Sequence, residues 1–323
     1  MSNKIKKIGI LTSGGDGPGM NAAIRSAVRY SLHYGLEVAG IMRGYQGLLE
    51  EDIIPLNHRS VSNIINRGGT ILKTARSKDF ATDAGKAKAV EMMHKHQIDA
   101  LIVIGGDGSY RGASRLYELH GIPTIGLPGT IDNDLNGTDQ TIGCSTAINT
   151  ALESIDKIRD TAQSMERVFV VEVMGNKSGY IAMEVALAAG AEDVIIPERK
   201  FDYEAMHGEI VDGNRKGKIS YIIIVAEGAA MAPVVAESIT RATGLETRYV
   251  VLGHVQRGGT PSGQDRILAT RLGAAAVDLL LNGIYGKAVG VLEDEINVID
   301  LKDATRRDHT DMEQRYELLK ILT

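Results

Sequence analysis

Short β-branched runs alternate with helical stretches along most of the chain, and this alternation limits the folds that it can adopt. Stretches such as NAAIRSAVRYSLHYG and DRILATRLGAAAVDLLLNG each end on a glycine suited to a helix C-terminal cap. Strands that alternate with helices indicate parallel sheets covered on both faces. We therefore predict an α/β protein with two Rossmann-like domains, mainly parallel sheets and helices on both faces of each. The apolar runs, each ending in glycine or a turn, are IGIL, EVAGIM, ALIVIGG, PTIGL, RVFVVEVMG, DVIIP, SYIIIVAEG and RYVVLGH.

The length of the chain sets the number of domains. Its 323 residues suit two domains of about 100–200 residues each. No linker or low-complexity segment separates them, and the sequence favours a first boundary near residue 142. Ligands of such sheets gather at the carboxyl ends of the strands. We therefore expect the functional residues directly after the apolar runs.

Charge and composition restrict the partners of this chain. It has 36 basic and 41 acidic residues, a net charge of -5, three phenylalanines and no tryptophan. Such a chain lacks the positive field that draws nucleic acid or anionic membranes and the stacking rings that bind bases. The lone Cys144 excludes an internal disulfide, and neither a signal-peptide pattern nor a run of about 18 apolar residues is present. We expect a cytoplasmic protein that binds no nucleic acid and no membrane.

One short motif occurs twice. LTSGGDGPG (11–19) and VIGGDGSYRG (103–112) each place GGDG between a predicted strand and a predicted helix. Glycines let a phosphate approach the backbone, and the amide groups at the helix start bind it. Neither copy matches the P-loop or the G-x-G-x-x-G pattern, so a tight turn is the alternative for each. Two copies in one chain favour a phosphate site.

Asp107 lies inside the second GGDG motif. A carboxylate would repel a bare phosphate, but Mg²⁺ between the two makes the arrangement favourable, because this ion takes one or two carboxylates together with phosphate oxygens. A helix N-cap is the ordinary alternative for an aspartate at this position.

The segment PGTIDNDLNGTDQ (128–140) sets Asp132 and Asp134 two residues apart, directly after an apolar run. A solvated turn uses the same residue types. Phosphoryl transfer, however, needs a carboxylate that accepts the proton of the attacking hydroxyl. In an extended segment the two aspartates would lie on the same side, so that one acts as the base and the other orients it or reaches the metal through water.

Cations recur near the ends of the predicted strands, at Arg167, Arg248, His254 and Arg257, and Arg76 lies in KTARSKD. Arginine suits forked contacts with phosphate. A single arginine at a strand end is usually solvated, so the prediction of a phosphate clamp depends on the recurrence.

Three further charges have two interpretations each. Glu227, after another apolar run, is either a ligand of sugar hydroxyls or an ordinary loop acid. Arg25 and Arg29 lie four residues apart near a predicted helix start, where they oppose each other and the helix dipole by a few tenths of a kcal/mol. A solvated face is the simplest explanation of this pair, but a docked anion explains the arrangement better.

The longer motifs resemble a known family, the bacterial ATP-dependent 6-phosphofructokinases. They are LTSGGDGPGMNAAIR, INRGGT, VIGGDGS, GLPGTIDND, KIRDTA and VLGHVQRGG, in this order and spacing. The resemblance covers nearly the whole chain. It implies an allosterically regulated glycolytic kinase that uses ATP and Mg²⁺ to convert fructose 6-phosphate into fructose 1,6-bisphosphate, as a homotetramer with active sites shared between subunits. It also implies domains at 1–142 plus 255–305 and at 143–254 plus 306–323.

The resemblance implies a role for individual residues. Asp132 removes the proton of the 1-hydroxyl, with Arg76, Thr130 and Asp134 completing the catalytic set, while Arg167 and Arg248 come from a neighbouring subunit. The residues implied for ATP are Gly15, Tyr45, Arg76, Ser77, Gly106, Asp107, Gly108 and Ser109, with Mg²⁺ on Asp107. Those implied for the sugar phosphate are Thr130, Asp132, Asp134, Arg167, Met174, Gly175, Asn176, Glu227, Arg248, His254 and Arg257. Those implied for allosteric ADP and phosphoenolpyruvate are Arg25, Arg29, His58, Arg59, Arg159, Glu192, Lys216 and Lys218.

Two positions depart from the family pattern. Asn176 stands where an arginine usually helps to neutralise the transferring phosphate, and we expect Arg76 and the metal to retain the activity. His58 stands where an arginine is usual in the effector site, and Ile219 and Ser220 replace a more basic ending. We expect effector binding to persist with a weaker or pH-dependent response, because histidine titrates near neutrality.

Three alternatives share most of these motifs: a pyrophosphate-dependent enzyme, a tagatose-6-phosphate kinase, and a catalytically silent sensor of nucleotide and sugar phosphate. Pyrophosphate-using relatives tend to carry aspartate at the position of Gly108 and lysine at that of Gly129, so the two glycines favour ATP. Asp107, Asp132 and Arg76 argue against a sensor, because a sensor needs no base.

Overall fold

The computed structural model describes residues 5–305, 309 and 311–323. The chain forms two compact units. The first comprises Met1–Ile131, Leu135–Thr146 and Arg257–Arg307, and the second comprises Asp132–Asp134, Ala147–Gln256 and Asp308–Thr323. Residues 306–308 and 310, which fall in the last segment of the predicted second domain, lie outside the described residues.

Strands and helices alternate through both units. The strands of the described chain are β1 (Lys7–Ser13), β2 (Glu37–Ile41), β3 (Ile53–Leu56), β4 (Ala100–Gly105), β5 (Thr124–Thr130), β6 (Ile142–Gly143), β7 (Val168–Val173), β8 (Asp193–Ile195), β9 (Tyr221–Ala226), β10 (Thr247–Val251), β11 (Lys287–Leu292) and β12 (Glu295–Asp300). The helices are α1 (Met20–His33), α2 (Gly44–Leu49), α3 (Asp83–Lys95), α4 (Asp107–His120), α5 (Cys144–Met165), α6 (Tyr180–Ala189), α7 (Tyr203–Arg215), α8 (Ala232–Thr243), α9 (Gly263–Leu281) and α10 (Met312–Leu322), with a 3-10 turn at Gly253–Arg257.

The sheet of the first unit has the order β12-β11-β5-β4-β1-β2-β3, and β6 pairs with β5. Its inner strands are parallel, whereas β3 and β12 pair antiparallel at the two edges. The chain proceeds from β1 outward to β2 on one side and from β4 outward to β5 on the other. The order therefore reverses between β1 and β4, and their carboxyl ends form the topological switch point where such sheets bind ligands.

Alternate residues of the central strands face two different apolar clusters. Ile102 and Ile104 of β4 belong to a cluster with α1 and α9, and Leu101 and Val103 belong to a second cluster with α3 and α4. Helices thus cover both faces of this sheet, as predicted.

Helices α1 and α9 approach each other closely at Gly273. A Cβ atom on Gly273 would lie 2.8 Å from the carbonyl oxygen of Ala23 and 2.8 Å from Cβ of Ser26. The Ser26 hydroxyl donates to the carbonyl of Thr270 at 2.6 Å. Any side chain at position 273 would force the two helices apart.

The sheet of the second unit is parallel throughout, in the order β10-β7-β9-β8. Helices α7 and α8 pack on it through Met206, Ile210, Val235 and Ile239. Helix α6 packs on β8 and β9 and against α10. Both sheets therefore agree with the predicted fold class.

All eight apolar runs singled out in the sequence form strands, and both glycine-capped stretches form helices, α1 and α9. Strands β3, β6, β11 and β12 were not predicted. Among the residues that the structure describes, no helix has the length and apolar character needed to cross a bilayer.

Candidate active site

The two GGDG motifs lie side by side at the switch point of the first sheet. Ser13 at the end of β1 is the register partner of Gly105 at the end of β4, and the hydroxyl of Ser109 donates to the carbonyl of Ser13 at 3.0 Å. A Cβ atom on Gly105 would lie 2.5 Å from both the Ser109 hydroxyl and the Ser13 carbonyl. The second glycine motif therefore packs directly on the first.

Asp107 is the first residue of α4, with Gly106 as the N-cap, so the proposed helix N-cap role passes to its neighbour. Its carboxylate binds the guanidinium of Arg111 through Nη2 at 2.9 Å and Nε at 3.1 Å, and a quarter of its side chain is exposed. In the described part of the chain, no three His, Cys, Asp or Glu side chains gather as a metal-binding group. A single accessible carboxylate suits Mg²⁺ that arrives with phosphate oxygens and water, rather than an ion caged by protein.

The space around Gly108 and Gly129 differs. A Cβ atom on Gly108 would meet nothing within 4 Å, whereas one on Gly129 would lie 2.8 Å from Cγ2 of Ile104 and 3.0 Å from Cε of Met20. A residue with a side chain fits at position 108 but would displace the core at position 129. A lysine at position 129 would therefore require Ile104 and Met20 to move.

Tyr45 packs against the second glycine motif. Its ring stacks on Phe80 with centroids 3.8 Å apart, and its hydroxyl donates to the carbonyl of Ser109 at 2.8 Å. Only 4% of the residue is exposed, and burial raises the pKa of its hydroxyl far above the ordinary value. Tyr45 is thus a buried residue that stabilises the backbone of the motif.

The segment that carries Arg76 and Ser77 is fastened to the first glycine motif. The hydroxyl of Thr74 donates to the carbonyl of Gly14 at 2.6 Å, and the hydroxyl of Ser77 accepts from the amide of Phe80 at 3.1 Å. Arg76 itself is exposed, which leaves its guanidinium accessible to a phosphate.

Arg257, assigned to the sugar phosphate, lies on the first glycine motif instead. Its Nη1 donates to the carbonyl of Asp16 at 3.0 Å, and a Cβ atom on Gly15 would collide with its guanidinium. Only glycine at position 15 leaves room for this cation. Thr130 is also in this unit, where its Cβ lies 3.5 Å from the position that a Cβ of Gly106 would take.

Asp132 and Asp134 are both buried, with 8% and 6% of each residue exposed. Asn133 between them has φ of 47°, in the left-handed region. The extended segment assumed from the sequence is therefore wrong, and strand alternation no longer places both carboxylates on one side. Asparagine is among the few residues that adopt this conformation readily.

The predicted sugar-binding loop after β7 is organised by one carboxylate. Oε1 of Glu227 accepts hydrogen bonds from the amides of Gly175 at 3.3 Å and Asn176 at 2.8 Å. Gly175 and Asn176 have φ of 149° and 55°, so the departure from arginine at position 176 places a residue that tolerates left-handed backbone. Met174 opens the loop, and its amide donates to Oε1 of Gln256 at 2.8 Å.

Arg167 and Arg248 share the carboxylate of Glu246. Nε of Arg167 donates to Oε2 of Glu246 at 2.9 Å, and Arg248 binds Oε1 of the same residue. Two guanidinium groups on one carboxylate leave an excess positive charge at β10, the edge strand of the second sheet. His254 follows in the 3-10 turn and is exposed.

The predicted effector residues fall into both units. In the first unit, burial and the neighbouring Arg29 lower the pKa of Arg25, and Nε of Arg29 is buried with no hydrogen-bond partner among the described residues. His58 and Arg59 lie on an exposed turn, where the side-chain oxygen of Asn57 accepts from the amide of Arg59 at 2.9 Å.

In the second unit, the effector residues are already paired. Arg159 donates to the carbonyls of Ala189 at 2.5 Å and Gly190 at 3.1 Å, at the C-terminus of α6. Glu192 binds Nζ of Lys218 at 3.1 Å. Lys216 is the C-cap residue of α7.

Three buried polar residues of these regions were missed in the sequence. Gln256 is fully buried, and besides binding Met174 it donates to the carbonyl of Ala147 at 3.5 Å. His309 contacts the aspartate segment. Asp265 binds the first turn of α5. In a single sequence, nothing distinguishes a buried amide, imidazole or carboxylate from an exposed one. The only available signal was the position of Gln256 inside HVQRGG, between two residues that were predicted as ligands.

Comparisons with known proteins agree on one family. The family model for phosphofructokinase matches residues 7–280. The ATP-dependent 6-phosphofructokinase 1 of Thermus thermophilus is 53% identical over 305 residues, which cover 94% of this chain and 95% of that one. The ATP-dependent 6-phosphofructokinase of Brevibacillus brevis is 51% identical over 319 residues, 99% of this chain and 100% of that one.

Solved structures show the same fold. Phosphofructokinase from Saccharomyces cerevisiae aligns with a TM-score of 0.86 and 35% identity, over 98% of this chain and 48% of the yeast chain. This chain thus spans about half the length of the yeast chain. The pyrophosphate-dependent phosphofructokinase of Marinobacter aquaeolei aligns with a TM-score of 0.84 and 24% identity, over 98% of this chain and 91% of that one, and shares the fold.

Proposed function

Because the chain belongs to the phosphofructokinase family, we propose that it transfers the γ-phosphoryl group of ATP to the 1-hydroxyl of fructose 6-phosphate. The products are fructose 1,6-bisphosphate and ADP. The observation that carries this proposal is the pair of glycine motifs at the switch point of the first sheet, with Asp107 at the start of α4. The relatives that are about half identical over nearly the whole chain are named ATP-dependent 6-phosphofructokinases.

The nucleotide phosphates lie along the two glycine motifs. The backbone amides at the start of α4 bind their oxygens, and the exposed Arg76 neutralises the phosphoryl group that moves. Mg²⁺ would be held by Asp107 together with phosphate oxygens, and would supply charge neutralisation. Arg111 pairs with the carboxylate of Asp107 in the structure and would compete with the ion for it.

Asp132 accepts the proton of the 1-hydroxyl while the oxygen of that hydroxyl attacks the γ-phosphorus and the bond between the γ-phosphorus and ADP breaks. The left-handed Asn133 removes the strand alternation that would place Asp132 and Asp134 on the same side. We therefore assign the base role to Asp132 alone, and Asp134 orients the acceptor. Met174, Gly175, Asn176, Glu227 and His254 bind the sugar.

The choice of ATP over pyrophosphate rests on the two glycines. The open space at Gly108 admits a bulky nucleotide, and a lysine at position 129 would require Ile104 and Met20 to move. No observation favours tagatose 6-phosphate or a silent sensor.

An assay coupled to sugar bisphosphate formation tests the activity. ATP or pyrophosphate is combined with fructose 6-phosphate or tagatose 6-phosphate, with and without Mg²⁺. We expect turnover with ATP, fructose 6-phosphate and Mg²⁺. Faster turnover with pyrophosphate would overturn the donor assignment, and binding of both ligands without any turnover would identify a sensor.

We further propose a homotetramer in which Arg167 and Arg248 reach the 6-phosphate of a neighbouring subunit. Arg248 lies in the edge strand β10, and Arg167 binds the same carboxylate, that of Glu246. About half of Tyr249 and Val251 in this strand is exposed, as is 60% of Val255 in the turn that follows it. An edge strand with exposed apolar side chains is suited to meet another copy of the chain. A cytoplasmic location, where nucleotide and sugar phosphate are available, accords with this role.

The effector site is proposed to take ADP or phosphoenolpyruvate on Arg25 and Arg29. An anion would offset the burial and the repulsion from Arg29 that lower the pKa of Arg25, and it would pair with the buried Nε of Arg29. Replacing Arg29 with methionine is therefore expected to raise the melting temperature without effector by about 1–2 °C, since like charges at this spacing cost a few tenths of a kcal/mol. The same variant should lose the rise in melting temperature that ADP produces in the parent.

Differential scanning fluorimetry with and without ADP measures both effects, and the exposed Arg115→Met on α4 serves as the control. If the Arg29→Met protein kept the full rise in melting temperature with ADP, Arg29 would not be part of the effector site.

A further inference from the structure

His309 makes a directed contact with the aspartate segment. Its Nε2 lies 2.8 Å from the carbonyl oxygen of Asn133, and only 7% of the residue is exposed. A carbonyl oxygen accepts but cannot donate, so Nε2 must carry the hydrogen. The contact therefore fixes the protonation of this nitrogen and joins the C-terminal segment to the residue between Asp132 and Asp134.

The peptide that His309 holds is strained. Asn133 has φ of 47°, in the left-handed region that L-residues other than glycine, asparagine and aspartate seldom adopt. A buried carbonyl without a partner would destabilise this conformation further. The histidine thus stabilises the one backbone conformation that sets the directions of the flanking aspartates.

The histidine ring packs on the first residue of α6, which in turn contacts α10. Its centroid lies 4.8 Å from that of Tyr180, the first residue of α6. The guanidinium of Arg315 on α10 lies 5.7 Å from the same tyrosine ring and is ion-paired with Glu184 of α6. The ring therefore has little freedom to move independently of α6 and α10.

Helix α6 also begins directly after the sugar-binding loop. The hydroxyl of Ser178 accepts from the amide of Tyr180 at 3.2 Å, and the amide of Ser178 donates to the carbonyl of Gly175 at 2.8 Å. One continuous set of contacts thus connects the loop proposed to bind the sugar with the segment proposed to carry the base, through Tyr180 and His309.

We propose that His309 is a positioning residue that keeps Asp132 correctly placed relative to the sugar-binding loop. This inference rests on the proposed function, because it assigns Asp132 the base role. A displacement of about 1 Å at a reacting group costs on the order of 10²-fold in rate. Loss of the hydrogen bond should therefore reduce turnover more than it reduces binding.

Two variants separate the hydrogen bond from the packing. His309→Phe keeps a ring against Tyr180 and removes the donor, whereas His309→Gln places an amide N–H near the position of Nε2. We expect the phenylalanine variant to lose about 10–100-fold in kcat, with KM for ATP and fructose 6-phosphate changed by less than about threefold. The glutamine variant should recover most of the loss. His94→Phe, on an exposed face of α3, is the control.

The measurements are steady-state kinetics in the coupled assay and melting temperature. A phenylalanine variant with parental kcat would overturn the inference. The inference would also fail if kcat fell in both variants in proportion to their melting temperatures and glutamine did not restore it. An inactive parent protein would instead refute the proposed function. The two failures are therefore distinguishable.

Discussion

Replacing Asp132 with asparagine is expected to lower kcat by about 10²–10⁴-fold, the usual contribution of a general base. Asparagine preserves the size of the side chain but cannot accept the proton of the 1-hydroxyl. Because the base acts in the chemical step, KM for both substrates should change far less than kcat. Steady-state kinetics with ATP and fructose 6-phosphate measure both quantities.

Two matched variants isolate the base. Asp139→Asn removes a carboxylate from the same segment that accepts the amide of Glu293 at 2.9 Å, and we expect parental kcat within about twofold because this contact is exposed. Asp134→Asn should fall between the two, with a larger effect on KM. An Asp132→Asn protein that binds both substrates and turns over as fast as the parent would disprove the mechanism.

Replacing Asp265 with alanine is expected to lower the stability of the first unit by about 3–5 kcal/mol, because several buried donors lose their acceptor. Only 1% of Asp265 is exposed. Its carboxylate accepts from the amides of Gly143 and Thr146, both at 2.8 Å, and from the hydroxyl of Thr146 at 2.5 Å. These groups begin α5, so the substitution removes the anion from a helix N-terminus as well.

Hydrogen exchange of β4 and α1, measured by mass spectrometry, detects this loss of stability within the first unit, and the melting temperature is measured as well. Asp265→Asn should recover part of the stability, because one oxygen remains. Asp278→Ala on the same helix removes a single contact, the hydroxyl of Tyr30 at 3.1 Å, and should cost only about 0.5–1.5 kcal/mol. Equal protection of β4 and α1 in the alanine variant and the parent would show that the stability of the first unit does not depend on this carboxylate.

The strands and helices that carry these residues were predictable because their hydrophobic patterns are local. The eight apolar runs are strands, and the GGDG motifs follow β1 and β4 as expected. The adjacency of the two motifs was not predictable, because it depends on β4 pairing with β1 across about 90 residues of chain. Strand β12 was missed for a related reason: its exposed edge position removes the buried face that a pattern detects.

The site residues remain predictions, and the backbone that carries them was not predictable. The sequence drew attention to Asp132 and Asp134, yet the left-handed Asn133 between them could not be anticipated, since asparagine adopts ordinary conformations as well. The support of that peptide by His309 comes from about 176 positions away, and no local pattern encodes such a contact. Arg257 was found by its motif, whereas its contact with Asp16 follows only from the folded chain.

The close approach of α1 and α9 at Gly273 has a consequence for how the protein is made. The first helix to leave the ribosome packs against one that is translated about 240 residues later, which takes roughly 10–50 s at 5–20 residues per second. During this interval the side of α1 that packs on α9 lacks its partner, although Ile24 and Val28 share their cluster with residues of β1 and β2. Newly synthesised chains should therefore expose this part of α1 until the last fifth of the polypeptide emerges, and Gly273 marks the contact that covers it.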